Sequence, residues 1–114
     1  MARISTHILD TARGKPAAGM HVRLFSVEGE TLRLLTSAIT NPDGRTDEPL
    51  LTGDRIATGV YELAFAVSAY FQLPADPPPF LGEVRVRFGV ADPQANYHVP
   101  LLVSPYAYST YRGS

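Results

Sequence analysis

Cysteine is absent from the sequence. The chain can therefore form no disulfide, no thiolate metal site and no cysteine nucleophile. Uninterrupted apolar runs are short as well, and none approaches the ~20 residues that a helix needs to cross a bilayer. The opening segment, MARISTHILD, lacks the apolar centre of a signal peptide. We therefore expect a cytoplasmic protein that has no membrane partner.

An excess of charge of either sign is also missing. The 10 lysine and arginine residues nearly balance the 11 aspartate and glutamate residues, which leaves a formal net charge of -1. Domains that bind nucleic acid usually carry a clear basic excess, so we expect no nucleic-acid partner. A length of 114 residues suits one domain with its own core. We predict that residues 1–114 form that single domain.

No segment sustains the period of an amphipathic helix, whereas several segments alternate apolar and polar residues as strands do. Such alternation predicts strands over residues 3–10, 20–27, 31–40, 59–69, 83–90, 97–104 and 107–111, and it allows a short strand over 45–51. One short helix is expected near residues 70–73. Short strands in this number are typical of an all-β fold, an antiparallel sandwich or barrel.

Pro100 interrupts the predicted strand over residues 97–104. Because proline cannot donate to a β-ladder, we expect this strand to lie at a sheet edge or to be bulged. An edge strand rich in Val99, Leu101 and Val103 would be prone to aggregation unless a partner covered it. The sequence thus predicts a homo-oligomer built across this edge.

Three side chains are candidates for chemistry. His7 lies in STHILD and His98 in YHVPLLV, and a neutral imidazole can accept a proton near neutral pH. Arg45 follows the turn NPDG, and its planar guanidinium suits a carbonyl group or an anionic ligand. Taken singly, such residues are more often a hydrogen-bonded core histidine or a surface arginine. His21 alternates with Arg23 on a face predicted to meet solvent, and we assign it no role.

The residue spacing gives little support to a metal site or a serine-type triad. A three-histidine zinc site would need His21, which points away from the core face of its own strand, and neither H-x-H nor HExxH occurs. No G-x-S-x-G motif marks a nucleophilic serine. Asp10 faces the opposite side of its strand from His7 by parity. We therefore expect no metal ion, and these residues alone indicate only an oligomeric β protein.

Four segments, in the same order along the chain, resemble one known family. They are STHILDTARGKPAAGMHVRLF, NPDGRTD, GVYELAF and the final YHVPLLVSPYAYSTYRGS. Together they resemble the 5-hydroxyisourate hydrolases, the transthyretin-related enzymes of urate breakdown. The most specific marks are YRGS with the upstream HVPLL, and then S-x-H-x-L-D. The chain departs from the family in the connector PADPPP and the following FLG, where an aromatic pair and a proline are usual.

The resemblance implies a transthyretin-like fold of two facing antiparallel sheets with one short helix. It implies a homotetramer, a dimer of dimers with active sites at the dimer–dimer interface. The implied reaction is hydrolysis of 5-hydroxyisourate to a carboxylated ureidoimidazoline, by attack of water on a ring amide carbonyl without metal or organic cofactor. The small-molecule substrate would be the only partner besides the other subunits.

The resemblance also assigns residues to this reaction. The catalytic positions of the family fall on His7, Arg45, His98 and Ser114, and its substrate-binding positions on His7, Arg45, Tyr111, Arg112 and Gly113. A histidine would act as general base, Arg45 would stabilise charge on the carbonyl oxygen, and Ser114 would orient water or relay a proton. The sequence does not distinguish which histidine takes the proton.

Three alternative functions belong to other classes. The first is a transthyretin-like carrier that binds a small aromatic ligand in the same channel and performs no chemistry. The second is an immunoglobulin-like interaction module, which would account for the strands but not for YRGS. The third is zinc-dependent amide hydrolysis, which a chelator would inhibit.

Overall fold

The even-numbered side chains of β1 (Arg3–Asp10) are all buried, and the odd-numbered ones are partly or fully open to solvent. This period of two is what a strand with one buried face produces. The computed structural model describes residues 2–114, and β1 lies inside the first of its two sheets. The strand has the bounds predicted for it.

The remaining strands of the first sheet are β2 (Lys15–Pro16), β5 (Leu51–Thr52), β8 (Tyr97–Val103) and β9 (Tyr108–Thr110). Their order is β2–β1–β8–β9, and β5 also pairs with β1. β1 and β8 run parallel, with Ser5 opposite His98 and His7 opposite Pro100. The other pairs of this sheet are antiparallel.

The second sheet contains β3 (His21–Glu28), β4 (Thr31–Ile39), β6 (Gly59–Phe65) and β7 (Val84–Val90). The strands lie in the order β4–β3–β6–β7 and every pair is antiparallel. The inner faces of the two sheets enclose an apolar core, in which the fully buried side chains include Ile4, Ile8, Leu24, Leu63 and Leu101. The predicted β-sandwich class is confirmed.

The predicted positions of the helix and of one strand were wrong. The strand predicted over 59–69 ends at Phe65, and α1 (Val67–Tyr70) begins where that strand was expected to continue. The backbone leaves the sheet here because the Ser68 N–H donates to the carbonyl oxygen of Gly82, at 3.0 Å, rather than to a neighbouring strand. Within residues 2–114 no helix is long and apolar enough to span a membrane. Residues 45–51 hold only an isolated bridge at Arg45 before β5 begins at Leu51.

β8 is not an edge strand, which corrects the prediction drawn from Pro100. It pairs with β1 on one side and with β9 on the other. Leu101 pairs with Thr110 and His98 with Gly113, so the register between β8 and the tail is the same before and after Pro100. The Thr110 hydroxyl donates to the Pro100 carbonyl oxygen at 2.8 Å, within the interval that the proline interrupts. An oligomer has to be argued from other surfaces.

Asp10 fixes the loop that follows β1. Its buried carboxylate accepts hydrogen bonds from the Tyr70 hydroxyl at 2.7 Å and from the Arg13 backbone N–H at 2.9 Å. Burial opposes ionisation of Asp10, but these hydrogen bonds outweigh it and hold the pKa of the carboxyl below its usual value. The loop over residues 11–19 is thereby anchored beside the turn that carries Arg45.

The outer face of the second sheet is covered by charged groups. Glu62, whose side chain is 7% exposed, accepts from Arg85 at 2.9 Å and from Arg87 at 3.0 Å. Arg23 and Arg85 lie over the ring of Phe25, at 5.1 Å and 5.4 Å from its centroid. The hydrogen bond from Arg85 is the main reason why the pKa of Glu62 is lowered, although burial opposes the shift.

Candidate active site

The parallel pairing of β1 with β8 brings the two candidate histidines to the same face of the first sheet. Ser5 and His7 are odd-numbered residues of β1, and both are partly exposed on its outer face. His98 lies opposite Ser5, two residues before Pro100, which is the partner of His7. No local signal joins residues so far apart in sequence, and only the sheet topology makes them neighbours.

The turn NPDG places Arg45 next to His7. The N–H of Ile8 donates to the carbonyl oxygen of Gly44 at 2.8 Å, and Arg45 forms an antiparallel bridge with His7. Gly44 has a φ of +75°, and a Cβ there would collide with the carbonyl oxygen of Ile8. This close approach requires glycine at position 44 for the turn to dock on β1.

The hydrogen bond of His7 determines where its proton lies. Its Nε2 is 3.0 Å from the carbonyl oxygen of Asp43. A carbonyl oxygen can only accept, so Nε2 carries the hydrogen and the neutral ring offers the lone pair of Nδ1. The turn therefore positions Arg45 and also selects the tautomer of His7.

The surroundings of His98 favour its neutral form. Its Nδ1 is 2.9 Å from the Ser5 hydroxyl, which leaves Nε2 for a ligand. Burial is the main reason why the pKa of His98 lies below its ordinary value of 6.5. The nearby charge of Arg45 lowers it further, followed by the charges of His7 and Arg3. A neutral imidazole is the state that can accept a proton from water.

The tail lies directly on His98. The N–H of Gly113 donates to the carbonyl oxygen of His98 at 2.8 Å. Arg112 donates from Nη2 to the carbonyl oxygen of Asn96 at 3.1 Å, and its guanidinium lies 4.4 Å from the centroid of the Tyr97 ring. Arg112 thus holds the tail against the start of β8. The side chain of Tyr111 is 59% exposed.

A cavity of about 310 Å³ unites part of the predicted set. Its lining residues are Arg3, Ser5, Arg45, Asn96, His98 and Ser114. His7 flanks this cavity through its bridge to Arg45, whereas Tyr111, Arg112 and Gly113 do not line it. Arg3, Ser5 and Asn96 were not among the residues predicted for the site. The parity of β1 was the available signal, because Arg3 and Ser5 share the face of His7.

Residues 2–114 contain no group of three or more histidine, cysteine, aspartate or glutamate side chains placed to hold a metal ion. The polar groups of the cavity are instead two guanidinium groups, an imidazole, an amide and two hydroxyls. This set can bind a polar planar molecule, donate to a developing oxyanion and accept a proton.

Residues 4–113 match the model of the HIUase/Transthyretin family. The chain belongs to this family. It is 53% identical over 113 residues to the 5-hydroxyisourate hydrolase of Deinococcus radiodurans, and the match covers 97% of this chain and 95% of that protein. It is 49% identical to the 5-hydroxyisourate hydrolase of Pseudomonas aeruginosa, and that match covers 100% of this chain and 93% of the relative.

Solved structures of the HIUase/transthyretin fold superpose on this one. The 5-hydroxyisourate hydrolase of Klebsiella pneumoniae is 32% identical and fully covered on both sides, with a TM-score of 0.82. Sea bream transthyretin in complex with thyroxine is 25% identical, with a TM-score of 0.84 and coverage of 98% of this chain and 95% of that chain. (S)-allantoin synthase is 39% identical, with a TM-score of 0.90. That match covers 99% of this chain and 44% of the longer chain.

Proposed function

We propose that this protein is an enzyme that hydrolyses 5-hydroxyisourate by adding water across an amide bond of its six-membered ring. The C–N bond breaks, the carbonyl carbon becomes a carboxylate, and the ring nitrogen leaves with a proton. One observation carries the proposal: His98, Arg45 and Ser114 line one cavity in a chain about half identical to proteins of that name. Residues 1–114 act as one domain in this proposal.

The first requirement of the reaction is a base that can take a proton from water. His98 meets it through its lowered pKa and, in the tautomer whose Nδ1–H donates to the Ser5 hydroxyl, through the lone pair of Nε2. His7 meets it through the Nδ1 lone pair that its bond to Asp43 leaves open. A well-placed neutral imidazole contributes roughly 10²- to 10⁴-fold to such a step. We assign the proton transfer to this pair of histidines.

The second requirement is a donor for the negative charge that develops on the carbonyl oxygen. Arg45 is the cation that the turn brings beside His7, and it lines the cavity together with His98. We assign charge stabilisation to Arg45, a task that typically accounts for about 10²- to 10³-fold in rate. Ser114 lines the same cavity and is assigned to orienting water or relaying a proton.

The remaining tail residues are assigned to substrate binding. The backbone of Gly113 packs against the ring of His98, which lines the cavity. Arg112 contacts Asn96 and Tyr97, so its contribution is to hold the tail against the start of β8. Tyr111 is the exposed residue of the tail, and we assign its ring to packing on the substrate once a second subunit closes over it.

We further propose that the protein assembles as a homotetramer, a dimer of dimers with the sites at the dimer–dimer interface. The exposed tyrosines of the last segment support this arrangement. Tyr106, Tyr108 and Tyr111 are 76%, 46% and 59% exposed, and all belong to the segment that follows β8. Light scattering at several protein concentrations tests the assembly, and a fully active monomer would overturn it. Location in the cytoplasm stays a prediction.

A transthyretin-like carrier is the alternative of another class, and the resemblance in fold to sea bream transthyretin is the observation that favours it. A carrier needs no proton acceptor beside a guanidinium, so the cavity favours the enzyme. Freshly generated 5-hydroxyisourate should decay faster, by ultraviolet absorbance, when the purified protein is added. Acceleration that survives a chelator supports metal-free hydrolysis. No acceleration by the folded protein would overturn the proposal in favour of a carrier.

A further inference from the structure

Asn41 begins the turn NPDGR and contacts it at both ends. Its side-chain Oδ1 accepts the backbone N–H of Asp43 at 3.0 Å and that of Arg45 at 3.2 Å. Two donors at one atom settle which end of the amide is oxygen. The main chain closes the same turn, because the Asn41 N–H donates to the carbonyl oxygen of Arg45 at 2.8 Å.

The two backbone groups that Asn41 holds belong to the two residues by which the turn acts on the site. The Asp43 carbonyl binds Nε2 of His7 at 3.0 Å and so selects the tautomer of that ring. Arg45 forms a bridge with His7 and lines the cavity. Through one oxygen atom, the side chain of Asn41 therefore positions the groups that act on His7, a proton acceptor, and Arg45, a cation.

The other half of the Asn41 amide points away from the site. Its Nδ2 donates to Oδ1 of Asp47 at 3.0 Å. Asp47 is exposed and does not line the cavity. The two functions of the amide can thus be separated, since the oxygen serves the turn and the nitrogen serves a surface contact.

We infer that Asn41 is a positioning residue for the hydrolysis proposed above: its side-chain oxygen holds the Asp43 carbonyl on His7 and Arg45 in the cavity. Aspartate at this position keeps an oxygen for the same N–H groups, whereas alanine removes it. Misplacing reacting groups by about 1 Å can cost on the order of 10²-fold in rate. This inference rests on the proposed function, but its effect on His7 exists without substrate.

The first experiment compares kcat and KM of the Asn41→Ala, Asn41→Asp and Asp47→Ala variants on 5-hydroxyisourate. We expect Asn41→Ala to lower kcat by roughly 10²-fold with a smaller change in KM. Asp47→Ala, the matched control, should stay within about threefold of the unmodified protein. The exchange variant Asn41→Asp with Asp47→Asn keeps an oxygen for the turn and a hydrogen bond between residues 41 and 47. Its kcat should recover most of what Asn41→Ala loses. Unchanged kcat in Asn41→Ala, or no recovery in the exchange variant, would overturn the inference.

The second experiment needs no substrate and so separates this inference from the proposed function. Nitrogen-15 chemical shifts of the His7 ring, recorded near pH 8, should show hydrogen on Nε2 in the unmodified protein and in Asn41→Asp. In Asn41→Ala the two ring nitrogens should move toward averaged shifts. If Asn41→Ala does not fold, Asn41→Ser, which keeps a shorter acceptor, takes its place with an intermediate shift expected. Identical His7 shifts in all variants would refute the inference even if the enzyme were active.

Discussion

The backbone of Gly113 lies against the imidazole of His98. A Cβ built on Gly113 would come within 2.6 Å of Cδ2 of that ring and 3.4 Å of Cγ of Pro100. The N–H of Gly113 also donates to the carbonyl oxygen of His98. The glycine of YRGS is therefore required by close packing, and the tail and the histidine form one unit.

Gly113→Ala should push the tail and the ring of His98 apart, because a Cβ at position 113 would overlap that ring. We expect this displacement to lower kcat/KM by roughly 10²-fold. The thermal midpoint should change little, since Gly113 lies outside the core. Gly82→Ala is the control, because a Cβ there meets no atom within 4 Å. Steady-state kinetics of both variants checks this, and equal activity would remove the tail from the site.

Arg45→Ala should lower kcat by on the order of 10²-fold or more if the guanidinium stabilises the developing oxyanion. Arg33→Ala provides the matched control, because Arg33 is an exposed arginine on β4 of the other sheet. Both variants should keep the far-ultraviolet circular dichroism of the unmodified protein. A loss confined to KM would reassign Arg45 to substrate binding alone.

The long strands could be predicted from the sequence because one buried face imposes a period of two. The predicted bounds of β1 match the observed ones, and those of β7 differ by one residue. The same pattern could not predict α1. The small residues after Phe65 continue the alternation of a strand, although the backbone leaves the sheet after Phe65. A hydrogen bond from Ser68 to Gly82, remote in sequence, decides that turn.

The candidate site was predictable only in part, for a related reason. His7, Arg45 and His98 stand out by residue type and by resemblance to a family, but their proximity depends on the parallel pairing of β1 with β8. Strand order is a long-range property that periodicity does not encode. Ser5 was overlooked for the same reason, because its role depends on lying opposite His98.

The pKa of His98 should lie below 6.5 and should rise when a neighbouring positive charge is removed. Arg3→Gln removes a charge that disfavours the imidazolium, so the pKa of His98 should move upward and the acid limb of kcat/KM should move with it. The pKa of His98 is lower in the folded than in the unfolded protein, so neutral His98 favours the folded state. This contribution to the free energy of unfolding is complete above about pH 6.5 and is lost as the pH falls through the pKa of His98 in the folded protein. Proton NMR titration checks this, with Arg33→Gln as the control. A His98 pKa at or above 6.5 in the unmodified protein would contradict it.

Glu62→Gln should destabilise the protein near neutral pH and have little effect in acid. Arg85, through its hydrogen bond, lowers the pKa of Glu62 below its usual 4.5. The charge therefore stabilises the fold above that pH, and this contribution is lost as the pH falls through the folded-state pKa. Because Arg85 and Arg87 are 39% and 54% exposed, solvent screening limits the expected loss to about 1 kcal/mol. Urea unfolding near pH 7 and near pH 3 measures the difference, and Glu30→Gln in the exposed turn before β4 serves as the control. An equal loss at both pH values would show that the shape of the glutamate, and not its charge, holds the outer face of the second sheet together.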